Sequence, residues 1–149
     1  MKKGLVTLFI AVLSFAGTAQ ERLEVYQDYD LGTEITVITT VKIDANMEDI
    51  YLAGLQNSWV KAVKLQKELG FIKDWKILAS DLPQSGEFNM ILMVNFENAG
   101  DLEPSKKKYT DFMKKWGEAA QKKSQQISAK YPEVRTLTGE YRMREIILK

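Results

Sequence analysis

The sequence predicts an α+β domain on three observations. Residues 34–43 alternate strictly between two faces and are rich in β-branched side chains, as a strand is. Two longer stretches repeat their apolar residues at the helical period. The remaining patterned segments, two after the first helix and one after the second, complete the order strand, helix, strand, strand, helix, strand.

In the first strand Ile35, Val37, Thr39, Val41 and Ile43 share one face, and Thr36, Ile38, Thr40 and Lys42 share the other. Asn46 followed by Asp49 resembles a capping box, so the first helix is expected to begin near Met47. Tyr51, Leu52, Leu55, Trp59, Ala62, Val63 and Leu69 form its apolar stripe, with Lys61, Lys64 and Glu68 opposite. Gly70 and Phe71 read as a left-handed stop closed by a hydrophobic contact.

A second strand fits 74–80 and a third fits 88–96, joined as a hairpin through the turn residues Asp81, Pro83, Ser85 and Gly86. Phe88, Met90, Leu92, Val94 and Phe96 make an apolar face of the third strand, while Asn89, Ile91, Met93 and Asn95 make a mixed one. After a breaker-rich connection, Tyr109, Phe112, Met113, Trp116, Ala120 and Ile127 line a second long helix that Pro132 ends. The last strand is expected over 139–148, with Tyr141, Met143, Glu145 and Ile147 on one side and Arg142, Arg144, Ile146 and Leu148 on the other.

Ahead of this domain, assigned to 34–149, lie an extended lead-in at 20–33 and an export signal at 1–19. The signal has a basic start at Lys2 and Lys3, an apolar stretch from Leu5 to Phe15, and small residues up to Ala19, where cleavage leaves Gln20 at the new terminus. Its apolar stretch falls short of the roughly 20 residues that span a bilayer. No cysteine follows it to carry lipid, so the expected product is soluble, without a membrane anchor, and periplasmic or secreted. Removing Lys2 and Lys3 from the 21 basic residues leaves 19 against 20 acidic ones, a net charge of about −1, which offers nucleic acid no bulk attraction.

The element order is that of the split βαβ, or ferredoxin-like, arrangement: two helices on one face of a four-stranded antiparallel sheet. The uncovered face, with Ile38, Leu78, Ile91, Met93 and Ile146, is expected to be apolar enough to need a partner. Over about Ile35 to Leu148 the pattern resembles the dimeric α+β barrel superfamily, in which two such subunits pack sheet against sheet around a cavity. That resemblance implies a homodimer. The group includes oxygenases and haem-linked enzymes, so it selects no activity.

Composition removes much chemistry. Without His or Cys the chain cannot build Ser-His-Asp or Cys-His catalysis, thiolate metal sites, or His-ligated zinc or haem. Its nine glycines are scattered and form no phosphate loop. No metal or cofactor is therefore expected.

The candidate ligand-binding residues are Arg142 and Arg144, placed by alternation on the open face beside Asn89, Asn95, Ile91 and Met93. Two guanidinium groups beside amides suit a carboxylate or phosphate, although arginines also serve interfaces. Gln66 in the first helix's stripe and the acidic, aromatic group Tyr26, Asp28, Tyr29 and Asp30 are weaker candidates, with structural roles favoured for both. The leading expectation is a non-catalytic homodimer holding a small, anionic or partly apolar ligand between sheets. The alternatives are a cofactor-independent enzyme using the arginine pair with Glu140 or Glu145 as base, and a purely structural or interaction protein.

Overall fold

A computed structural model describes residues 22–82 and 86–149; the expected export signal at 1–19 lies outside them. The chain has an α+β fold built on a four-stranded antiparallel sheet. Strand β1 is Tyr29–Leu31, β2 is Ile35–Ile43, β3 is Asp74–Ala79, β4 is Met90–Phe96, β5 is Arg135–Met143 and β6 is Ile146–Leu148. The large sheet runs β3-β4-β2-β5, and β1 pairs with β6 in a separate two-stranded sheet. The lead-in is thus partly folded, and the expected last strand is two strands that join different sheets.

Each of the two expected long helices is a pair. Helix α1 spans Glu48–Asn57 and α2 Trp59–Glu68; α3 spans Lys106–Trp116 and α4 Glu118–Ser128. Ser58 breaks the first pair. Its hydroxyl donates to the Gly54 carbonyl at 2.9 Å and lies 2.6 Å from the Tyr131 hydroxyl, and its backbone leaves the helical region at φ −129°, ψ −88°. Serine that bonds back to the preceding turn bends helices, and here a tertiary partner holds the bend. Gly117 breaks the second pair at φ 77°, ψ 155°, a conformation open to glycine alone.

The caps follow the same local chemistry with one correction. Gly70 takes φ 71°, and Phe71 N–H reaches back to the Gln66 carbonyl at 2.9 Å, closing α2 as expected. The capping box at Asn46 does not form. Asn46 sits at φ 65° in a turn closed by Met47 N–H on the Asp44 carbonyl, so Met47 holds the cap position with no side-chain bond.

The core lies between the helices and one face of the sheet. Val41, Ile43, Met90 and Leu92 from β2 and β4 meet Tyr51 and Leu55 of α1 and Tyr131 of the 3-10 turn Tyr131–Glu133. Val41 is 0 % exposed. Tyr51 meets Tyr131 edge to face at 5.0 Å, and Trp59 of α2 meets Trp75 of β3 likewise at 5.7 Å. Burying one such side chain contributes about 1.5–3 kcal/mol. Ion pairs in water, such as Lys107 with Asp111, contribute far less, so apolar packing holds the helices to the sheet.

Burial raises the pKa of Tyr51 and Tyr131 above the ordinary 10.0, against the lowering influence of Arg135 on both and of the Ser58 bond on Tyr131. The folded chain then keeps protons that the unfolded chain releases above pH 10.0, so this stability is complete below pH 10.0 and is lost as pH climbs through the folded values. Tyr131→Phe should lower stability at neutral pH by about 1 kcal/mol and flatten the fall in urea midpoint above pH 10.0. An unchanged alkaline slope would show that Tyr131 ionises as freely folded as unfolded.

Candidate functional site

The register of the sheet assigns each side chain to a face. Opposite residues share a face, so Thr36 with Asn95, Ile38 with Met93 and Thr40 with Ile91 line the side away from the helices. β3 adds Leu78 opposite Ile91, Lys76 opposite Met93 and Asp74 opposite Asn95. On the far side of β2, Tyr141 stands opposite Ile38 and Met143 opposite Thr36. Asn89, just before β4, adjoins this set.

Arg142 does not join them, which corrects the face assigned from alternation. Arg135 opposes Ile43 and Leu137 opposes Val41, both on the helix side. The ladder then slips between Thr40 and Val41, and Gly139 rather than Thr138 opposes Thr40. One extra residue in β5 reverses every face beyond it. Tyr141 and Met143 therefore turn to the open face, and Glu140 and Arg142 turn to the helix side, opposite Thr39 and Val37. Arg144 lies past β5, where its Nη1 donates to the Gly32 carbonyl at 3.0 Å and Glu145 O accepts from Gly32 N–H at 2.9 Å. Both expected carboxylates, Glu140 and Glu145, are likewise off the open face.

The bulge is held locally. Thr138 Oγ1 donates to Thr40 Oγ1 at 2.9 Å, and Thr40 Oγ1 donates to the Gly139 carbonyl at 3.3 Å. A Cβ on Gly139 would lie 2.8 Å from the Tyr141 ring, so the absence of a side chain lets that ring fold back across the strand.

The amides are engaged too. Asn89 Oδ1 accepts from Ile43 N–H at 2.7 Å and its Nδ2 donates to the Ile43 carbonyl at 2.9 Å, so a side chain stands in for a strand partner at the end of β2. Asn95 Oδ1 accepts from Thr36 Oγ1 at 2.9 Å. Among the described residues, charge on this face is confined to Asp74 and Lys76 on the edge strand β3 and to Lys42 near the end of β2, whose ammonium donates to the Gly86 carbonyl at 2.8 Å. The rest is apolar: Ile38, Leu78, Ile91, Met93, Tyr141 and Met143, of which Tyr141 is 52 % and Met143 51 % exposed. At the β3–β4 end, a cleft of about 140 Å³ opens between Leu78, Phe88 and Ile91. Ile146, also expected on this face, belongs to β6 and the small sheet.

The remaining candidates have structural partners. Asp30 pairs with Lys149 at 2.9 Å and the Asp28 carbonyl accepts from Lys149 N–H at 3.0 Å, which ties Lys149 to the segment leading into β1, while the Asp28 carboxylate accepts from Glu24 N–H at 2.7 Å in a local turn. Gln66 borders a cavity with Phe71, Phe96, Tyr109 and Phe112. At the sheet's rim, the Lys67 ammonium bonds Asp74 at 2.9 Å and holds its carboxyl below the usual range. Among the described residues, no group of three acids, histidines or cysteines converges where a metal ion would sit. No helix among them is long and apolar enough to cross a membrane.

Tyr141 and Met143 are the open-face residues that alternation missed; the signal was Gly139, a glycine inside a strand pattern, which is a common mark of a bulge. Because Asn89 completes the ladder, Asn89→Ala should cost about 1–3 kcal/mol in denaturant unfolding, by stranding the Ile43 amide and carbonyl. Asn95→Ala, which frees only a part-exposed Thr36 hydroxyl, should cost less than Asn89→Ala. Equal losses would assign the two amides the same role.

No protein-family model matches the chain, and no curated protein matches it. Among solved structures, the crystal structure of HapK from Hahella chejuensis is similar with a TM-score of 0.44 at 9 % identity, over 74 % of this chain and 91 % of that one.

Proposed function

We propose that this chain is an exported, non-catalytic protein that works as a homodimer: two ferredoxin-like units packed sheet against sheet, as in a dimeric α+β barrel, with a small, mainly apolar ligand held between them. The observation that carries the reading is the open face, where Ile38, Leu78, Ile91, Met93, Tyr141 and Met143 face outward while the neighbouring hydroxyls and amides bond within their own sheet. A contiguous apolar face on an antiparallel sheet is costly in water, and a second copy covers it with its own equivalent. The strand order β3-β4-β2-β5 supports the ferredoxin-like reading, and the signal pattern at 1–19 supports export.

With Arg142 and Arg144 elsewhere, the ligand between the sheets is apolar rather than anionic. The same pairing of polar groups also favours the interaction-protein reading, in which the two faces meet with no ligand.

Protein recovered from the periplasmic fraction of expressing bacteria should sediment as a dimer. Ile91→Lys or Met93→Lys, which set a charge in the apolar face, should yield monomers with an unchanged far-ultraviolet spectrum. A monomer at every concentration, or no periplasmic protein, would overturn the proposal. Native mass spectrometry separates the two readings: an extra mass on the dimer supports a ligand, and a bare dimer supports a filled interface.

A further inference from the structure

We infer that the groove between α1 and α4, in the helical layer, binds a small organic anion with an apolar body, of the alkyl carboxylate class. It has a volume of about 350 Å³, at the small end of ligand sites. Its apolar wall is Ile50, Gly54, Ile127, Tyr131 and Val134. This wall is continuous with the core, against which Ile127 and Val134 pack, and Tyr131 is anchored by the Ser58 hydroxyl. Gly54 sets the approach of α1: a Cβ there would lie 2.9 Å from the Tyr131 ring and 3.5 Å from Ile127. The floor is therefore formed by packed residues and not by side chains free to collapse into the space.

The rim supplies the charge. Lys123 and Gln126 lie three residues apart on α4 and so share one side of it, Lys130 joins them from the turn after the helix, and no acid lines the groove. Lys67, Lys73, Lys107, Lys108 and Lys149 each have a carboxylate partner, whereas neither Lys123 nor Lys130 has an ion-pair partner among the described residues. The end of α4 carries partial negative charge that Lys130, just past the Ala129 cap, meets, but that influence fades within a turn, and Lys123 stands more than a turn before Ser128. An apolar floor beneath two ammonium groups that have no carboxylate partner matches a molecule with an apolar body and one anionic end.

The site is independent of the sheet-to-sheet pairing, so the two proposals fail separately. Octanoate titrated into the protein by calorimetry should bind once per chain, in the Ile91→Lys variant as in the parent. Lys123→Ala with Lys130→Ala should weaken octanoate by about tenfold or more while changing uncharged 1-octanol by less than about twofold. Ile50→Trp, at a position 60 % exposed, should block both probes without disturbing the core. No octanoate binding at millimolar concentration, or equal binding by parent and both variants with spectra showing intact folds, would overturn the inference. So would binding to phosphatidylglycerol vesicles without binding of free octanoate, which would make the basic rim a lipid-surface contact.

Discussion

The slip of one residue between β2 and β5 decides what the open side of this protein presents. Before the slip, β5 sends Arg135 and Leu137 toward the helices; after it, the parity reverses and the helix side belongs to Glu140 and Arg142. Because strand side chains alternate with a period of two, nothing short of a second slip would return the arginines to the outer face. The bulge thus removes charge from the middle of the sheet and puts Tyr141 and Met143 beside Ile38 and Met93. The Thr138–Thr40–Gly139 hydrogen bonds fix it in place, so a few polar contacts make the surrounding surface apolar.

The helical side obeys a different constraint. The Tyr131 hydroxyl meets Ser58 where the first helix breaks, and the Tyr131 ring closes on Gly54 and Tyr51. Arg135 lies with its guanidinium 5.3 Å from the Tyr131 ring and 5.9 Å from that of Tyr51, covering the aromatic pair from β5. Tyr131 is therefore both a core residue and the floor of the α1–α4 groove. Changes there reach stability and the groove together, which is why the exposed Ile50 and the rim lysines are the positions that separate binding from folding.

Features encoded within a few neighbouring residues were legible in the sequence, and features set by distant partners were not. The strands, the apolar helical stripes and the Gly70 stop are local. The break at Gly117 also carries a local signal, a glycine inside a helical pattern, but the single long helix expected there passes over it. The break at Ser58 depends on a tyrosine 73 residues away. Asn89 reads as a ligand-binding amide until its partner is seen to be Ile43, 46 residues earlier. The acidic group at Asp28 and Asp30, for which the sequence favours a structural role over a cation site, finds that role only through Lys149, more than a hundred residues later. The candidate site suffered most because the face of Arg142 depends on a bulge, and alternation alone gives a residue's parity without its origin.

The central claim is that an apolar face containing Met93 and Met143 is covered by a second copy. Peroxide oxidation of methionine, followed by peptide mass spectrometry across protein concentration, reports on that face residue by residue. The account predicts that Met93 and Met143 are protected at high concentration and become reactive on dilution, while Met113 of α3 keeps one rate throughout. Met93 and Met143 oxidising at the same rate at every concentration would contradict it.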